Sequence, residues 1–259
     1  MIGTLLNAVG IIAGGLTGLL GKGSLSAANE SFFKVLLGAF AVFYGLRLTW
    51  LSLNGSFSAI AKQVAGMVLA LILGRLVGRL LHLQALSNRI GRAASERIAS
   101  VRADDPERIS KGFKTCAALF CAAPLGIIGA LLDGLPLPGA PSPDPTTWTA
   151  MVVGYGYAYP LLIKAMMEGL AAMGFARLFG GGVLLSVVPV IAWQGTITLF
   201  SARFLEPWLR SHGLTPSIQA VGGLLVFCVA LVVLQLKKIE LADYLPSLVF
   251  APLIAWVWR

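Results

Sequence analysis

Charge is scarce in this sequence, and negative charge scarcest of all. Charged residues make up 12% of the 259, with 11 Asp and Glu against 20 Lys and Arg. A soluble domain usually carries about a quarter of its residues as charge. This chain is also 57% hydrophobic, with a mean hydropathy of +0.84, so in water it would expose apolar patches wide enough to aggregate. Lipid is the solvent that resolves the conflict. Histidine and cysteine are nearly as rare: His82 and His212, then Cys116, Cys121 and Cys228, with no CxxC spacing. That inventory excludes the usual zinc and thioredoxin-type sites and implies no cofactor. Each cysteine lies in an apolar stretch, where a thiol behaves as a small hydrophobe. HExxH, GxSxG and a Ser–His–Asp set are all missing, so hydrolase chemistry has no foothold and no enzyme is expected. Gly21-Lys22-Gly23-Ser24 has the look of a phosphate loop, but Gly23 stands where Ser or Thr is required. The shortage of acid leaves a formal net charge of +9, which in a soluble protein would suggest nucleic acid. Here the basic residues flank apolar runs and no solvated aromatic face accompanies them. They read as topology signals and as contacts to anionic lipid, with no nucleic-acid partner.

What is present is a series of apolar runs of membrane-spanning length, about 18–20 residues or more. The expected fold is all-α: a polytopic helical membrane protein of about eight spans, or seven, forming a single membrane domain over residues 1–259. The expected spans are Met1–Leu20, Phe32–Leu53, Ala59–Leu81, Phe113–Leu132, Pro160–Phe179, Val183–Phe200, Ile218–Leu236 and a short Leu245–Trp258. The fourth is interrupted by Pro124 and Gly126, and the fifth starts either at Trp148 or after Pro160. Leu135–Thr147, with five prolines and no Lys or Arg, reads as an external loop, and Trp148–Tyr159 as interfacial. A polar loop is expected around Arg203–Arg210. Small residues recur every fourth position, as at Gly10, Gly14 and Gly18 or at Gly66, Ala70, Gly74 and Gly78. In lipid that spacing lets two helix backbones approach closely. The glycine triplet 180–182 reads as a tight turn into the sixth span.

The basic residues orient this array. Nine of the twenty lie between Arg75 and Lys114, and residues 82–111 form a polar connector whose apolar residues let part of it lie on the membrane as an amphipathic helix. With the connector inside, alternation puts fourteen Lys and Arg on the inner side and five on the outer, with Lys164 inside a span. The positive-inside bias then places the connector in the cytoplasm of a bacterial inner membrane, with anionic lipid as its partner and both termini outside. Residues 1–81 and 180–259 share a rhythm of glycine-rich helix, polar loop, helix, short break and helix around the central 112–179. Corresponding spans are an odd number apart, so the two units would cross in opposite senses. Inverted repeats with discontinuous helices are a transporter architecture.

Ionisable groups inside spans are costly and point to function by default. Three stand out: Asp133 at the outer end of the fourth span, and Lys164 and Glu168, one helical turn apart in the fifth. Gln194, Thr196 and Thr198, just past Pro189, add neutral donors and acceptors. Two readings stay open for these residues: a pathway for a small solute or ion in a homo-oligomeric transporter, or a static pair and interhelical hydrogen bonds that only hold a scaffold or lipid-organising protein together.

Several stretches carry a family resemblance. They are the opening Met1-Ile-Gly-Thr-Leu-Leu-Asn-Ala-Val-Gly-Ile-Ile-Ala-Gly-Gly, Gly112-Phe113 through Phe120-Cys121, Asp133-Gly134 and Lys164-x-x-x-Glu168-Gly169. With them go Gly182-Val-Leu-Leu-Ser186 with Pro189, Gln194-Gly195-x-Ile-Thr198, Ala220-Val-Gly-Gly223 and Lys237-Lys238-Ile239. The chain resembles the YqgA/YdfK-like bacterial inner-membrane family, domain of unknown function 554, over nearly its whole length. It departs from the pattern in having Glu168 where that family suggests aspartate, and a longer Pro-rich insertion before Pro160. The resemblance implies a multi-span membrane protein with no agreed activity. Asn7 of the opening and Ser186 join the expected pathway residues.

Overall fold

A computed structural model describes residues 1–21, 26–102, 105–136 and 159–258. The expected external loop beyond Pro136, the interfacial segment and the alternative start of the fifth span at Trp148 lie outside these residues. Among the described residues every regular element is helical. They are α1 (Ile2–Leu20), α2 (Ala27–Leu51), α3 (Phe57–Leu80), α4 (Leu83–Ser100), α5 (Arg108–Ala122), α6 (Pro124–Asp133), α7 (Tyr159–Phe179), α8 (Gly182–Leu185), α9 (Val187–Phe200), α10 (Glu206–Ser211), α11 (Thr215–Val233) and α12 (Ser247–Val257).

Backbone proximity organises the bundle. Gly10 faces Ala165, Gly14 faces Gly169 and Gly18 faces Met173, so α1 and α7 run parallel in contact along one glycine stripe. A Cβ on Gly14 would overlap the Gly169 carbonyl, so a side chain there must push the helices apart. The α2–α11 pair is antiparallel: Gly45 lies on Gly223, and Thr49 Oγ1 sits 3.0 Å from the Gly45 carbonyl and 3.1 Å from that of Ala220 across the interface. The α3–α12 pair is antiparallel too, with Gly66 facing Ile254, Gly74 against Ser247, and Gly78 against Asp243 in the turn before α12. Two apolar cores result. One joins α2, α3, α6, α11 and α12 around Tyr44, Ile128, Leu225 and Leu248. The other joins α1, α5, α7 and α9 around Ile11, Phe120, Phe179 and Val190.

The outer surface is apolar as well. Leu5, Val9, Phe43, Ile72, Val188 and Val249 are all exposed, and hydrocarbon is the environment that accepts such a belt. Among the described residues, five helices are long and apolar enough to cross a membrane: Ile2–Leu20, Ala28–Leu51, Phe57–Leu80, Gly182–Ser211 and Thr215–Val233. The pair α5 and α6, bent by 60°, supplies a sixth. The protein is thus an all-α membrane protein. Of the eight expected spans, α7 lies outside that set because Lys164, Glu168 and Arg177 interrupt its hydropathy, and the last apolar stretch, Leu241–Val257, because it is short.

Local chemistry explains the breaks. Pro124 holds Ala123 extended (φ −63°, ψ 123°), which ends α5, and then opens α6 at its first turn, where no N–H is needed. Gly180, at φ +70°, caps α7 with its N–H on the Ala176 carbonyl and forms the expected turn into α8. The expected polar loop around Arg203–Arg210 is instead helical. The segment runs from Gly182 to Ser211 as one 30-residue helix, passing through a π-helical turn at Ser201–Leu205 just before Pro207. Widening the ladder there removes the demand for the amide that proline lacks. In the connector, α4 is amphipathic and docks by its start: Gln84 N–H donates to Asp243 Oδ1 at 2.8 Å. Beyond it, Lys111 Nζ donates to Asp105 at 2.7 Å and holds that carboxyl below its ordinary range.

Candidate functional site: a polar ladder at the helix break

The proline that breaks the fourth span also frees an acceptor. In a continuous helix the Phe120 carbonyl would accept from the amide of residue 124, but Pro124 has none. Lys164 Nζ takes that carbonyl at 2.9 Å. Lys164 is 2% exposed and Glu168 6%, and one turn apart on α7 they form a direct ion pair. The lysine therefore meets a carboxylate on one side and the partially negative end of α5 on the other. Gly126, in the first turn of α6, makes room for it: a Cβ there would stand 2.7 Å from Lys164 Cε.

Two further helices complete the centre. Asn7 of α1 donates through Nδ2 to Glu168 Oε2 at 2.9 Å and to Gln194 Oε1 of α9 at 3.0 Å. A carboxylate only accepts, so it fixes the Asn7 amide with its NH2 toward Glu168. Asn7 Oδ1 and Gln194 Nε2 are then left without a partner among the described residues, although both residues are fully buried. Buried polar atoms in native structures are rarely left this way. One unmet acceptor and one unmet donor sit at the same break.

The network continues toward the end of the bundle where α1 begins. One turn along α9 from Gln194, Thr198 Oγ1 donates to the Ala130 carbonyl at 3.0 Å and lies 3.4 Å from Thr4 Oγ1. Asp133, the last residue of α6, accepts from Gly3 N–H at 3.1 Å and pairs with the Met1 amino group at 3.0 Å. Its carboxylate thus caps the positive end of α1. Thr198 also approaches Asp133 Oδ2, at 3.5 Å. Asp133, Thr198 with Thr4, Gln194 with Asn7, and Glu168 with Lys164 form a ladder of polar rungs about one helical turn apart.

Of the residues singled out by sequence, Asn7, Asp133, Lys164, Glu168, Gln194 and Thr198 stand on this ladder. Thr196 does not: two residues from Gln194, it falls on the outer face of α9, exposed and bonded to the Ala192 carbonyl at 2.6 Å. Ser186 is buried, but its hydroxyl serves the Val183 carbonyl at 2.6 Å in the α8–α9 joint. Thr4, the Phe120 carbonyl and the room that Gly126 leaves for Lys164 were not foreseen, although Gly126 itself was read as part of the break. A proline four residues after Phe120 was the available signal for that carbonyl. No group of three or more His, Cys, Asp or Glu that could hold a metal occurs among the described residues. Lys164 and Glu168, at the end of the ladder away from Asp133, are buried. Neither the cavity of about 380 Å³ between α3 and α12 nor the groove of about 420 Å³ between α1 and α7 is lined by Lys164 or Glu168.

Comparison with known proteins agrees with a membrane protein. A family described as "Protein of unknown function (DUF554)" matches residues 2–138 and 152–256. The chain is 27% identical over 257 residues to "Uncharacterized membrane protein YdfK" of Bacillus subtilis (strain 168), covering 99% of this chain and 96% of that one. It is 24% identical over 259 residues to "Uncharacterized protein YqgA" of Escherichia coli (strain K12), with coverage of 100% and 97%. No solved structure matches.

Proposed function

This chain belongs to the DUF554 family, and we propose that it carries a small solute or ion across a bacterial inner membrane. The observation that carries the proposal is the pair of unmet hydrogen-bonding atoms, Asn7 Oδ1 and Gln194 Nε2, beside a buried ion pair at a broken helix. A purely structural ion pair has no use for a donor and an acceptor left open next to it. The ladder from Asp133 inward gives a polar route to that centre, and its buried inner end is the occluded state of an alternating-access cycle. Helix directions support an inverted repeat. α1 meets α9 antiparallel, through Thr4 on Thr198 and Asn7 on Gln194, and the α2–α11 and α3–α12 pairs are antiparallel as well. These are the registers expected of two oppositely inserted three-helix units. On this reading the connector faces the cytoplasm and anionic headgroups, the protein assembles with copies of itself, and it is not an enzyme.

The test is flux in proteoliposomes loaded with a pH-sensitive dye and challenged with a panel of small solutes and ions. Glu168→Gln should abolish flux while the protein still assembles, because Gln keeps the shape and loses the charge. Unchanged flux removes Glu168 from the mechanism. A second reading is favoured by the sealing of Lys164 and Glu168 from both cavities: a non-transporting scaffold or lipid-organising protein in which the ladder is helix glue. Wild type silent across the panel, with Lys164→Ala/Glu168→Ala changing stability alone, would decide for it.

A further inference from the structure

The cavity of about 380 Å³ stands apart from the ladder, at the end of α3 away from the connector. The α2–α3 turn, the start of α11 and the last turns of α12 enclose it, and its volume lies within the range of small-ligand sites. Its floor is apolar: Met67, Ala220 and Ala251 are buried, and Ile254 closes one side. Its rim is polar and pinned. Gln63 Nε2 donates to the Asn54 carbonyl at 2.7 Å, and Gln63 Oε1 accepts from Asn54 N–H at 3.1 Å. Lys62 is the one ionisable side chain in the lining. It is exposed and forms no ion pair among the described residues.

Gly66 borders the space without a tight packing partner. Further along the same stripe, a Cβ on Gly74 or Gly78 would collide with the backbone of Ser247 or Asp243. A Cβ on Gly66 would stand 3.6 Å from Ile254 and 3.7 Å from Trp258, at ordinary contact distance. The first glycine therefore faces open space where the later ones bring helices together.

We propose that this cavity holds one anionic phospholipid, its phosphate at Lys62 and an acyl chain running over Gly66 and Met67 toward Ala251. Charge complementarity selects the headgroup and the apolar floor selects the chain. Lys62 and Met67 are five residues apart on α3, so the phosphate site and the floor are separated by about 7.5 Å along the helix. The exposed rings of Trp50 and Trp258 mark this end as headgroup level. A zwitterionic lipid offers the same phosphate with its charge offset by a headgroup cation, which weakens its pull on Lys62, and a soluble anion would leave the floor wet. The site lies across the membrane from the connector and does not depend on the transport reading.

The test is thermal unfolding of the purified full chain in detergent, titrated with dioctanoyl-phosphatidylglycerol, dioctanoyl-phosphatidylcholine or glycerol phosphate. Phosphatidylglycerol alone should give a saturable rise in apparent Tm, since binding to the folded state stabilises it. Lys62→Gln should weaken half-saturation about fivefold. Gly66→Leu should remove the rise by filling the space; Ala255→Leu, from the facing wall, does the same where the first variant folds poorly. An equal rise with phosphatidylcholine or glycerol phosphate overturns the proposal. So does Lys62→Gln titrating like wild type, or a rise that survives both cavity-filling variants, because the lipid is then held elsewhere.

Discussion

The α1–α7 and α2–α11 interfaces are built by one device and end in different chemistry. Each brings two helices together over small residues, Gly10 and Gly14 on Ala165 and Gly169 in one, Gly45 on Gly223 in the other. Each puts hydrogen-bonding side chains into lipid-surrounded protein. Between α2 and α11 the buried polar groups are neutral: Thr49 Oγ1 lies on carbonyls, Tyr44 is buried beside it in an apolar core, and no charged side chain is buried there among the described residues. Between α1 and α7 the same closeness is used to seal an ion pair, an asparagine and a link to a third helix. Close packing alone asks for no charge. The α2–α11 half is a control supplied by the molecule itself, and what it lacks is what calls for a functional account in the other half.

The largest effect expected from breaking that difference is at Lys164. Lys164→Ala leaves Glu168 buried with only Asn7 to face it, and removing one partner of a buried pair costs about 3–5 kcal/mol. Replacing both, as Lys164→Met with Glu168→Leu, should restore most of that stability while leaving any flux absent, because a well-packed apolar pair is often as stable as the ions it replaces. Unfolding in mixed micelles measures the first claim and proteoliposome flux the second. Should the double variant stay as unstable as the single one, the pair is a structural necessity and the contrast between the two interfaces loses its functional meaning.

Next in size is the shared device. Gly14→Val and Gly45→Val each drive a branched side chain into a facing backbone, and both are expected to lose about 1–3 kcal/mol. Comparable losses would confirm that backbone closeness is one tool used twice. If Gly14→Val were tolerated while Gly45→Val was not, the α1–α7 contact would be looser than its geometry says, and the seal over Glu168 would loosen with it.

Much of this was legible in the sequence because it rests on local rules. Pro124 announced the break, the four-residue spacing of Lys164 and Glu168 announced a shared face, and the glycine triplet announced its turn. What escaped depends on partners distant in the chain or on backbone atoms. The acceptor for Lys164 is the Phe120 carbonyl, a group every residue carries, marked only by a proline one turn later. Thr196 was grouped with Gln194 and Thr198 by neighbourhood, but helical periodicity separates it from both. The polar stretch Arg203–Arg210 reads as a loop until a π turn accommodates Pro207, and Glu206 takes up Arg210 one turn on.

The smallest expected effect discriminates best, because the molecule offers matched threonines. Thr49 Oγ1 lies 3.1 Å from the Ala220 carbonyl in the apolar half, and Thr198 Oγ1 donates to the Ala130 carbonyl at 3.0 Å in the polar half. Both are buried, both lie on helix interfaces, and valine copies the shape of each. Interhelical hydrogen bonds of this kind contribute only about 0.6 kcal/mol inside a membrane, so Thr49→Val and Thr198→Val should cost nearly the same in unfolding. They should part in function. Thr198 is the rung between Asp133 and Gln194, and its loss leaves a methyl group on the proposed route; Thr49 touches nothing on that route. Flux lowered by Thr198→Val and untouched by Thr49→Val assigns the hydroxyl to the pathway. Equal behaviour in both assays would reduce the outer rungs to helix glue and confine the functional centre to Asn7, Lys164, Glu168 and Gln194.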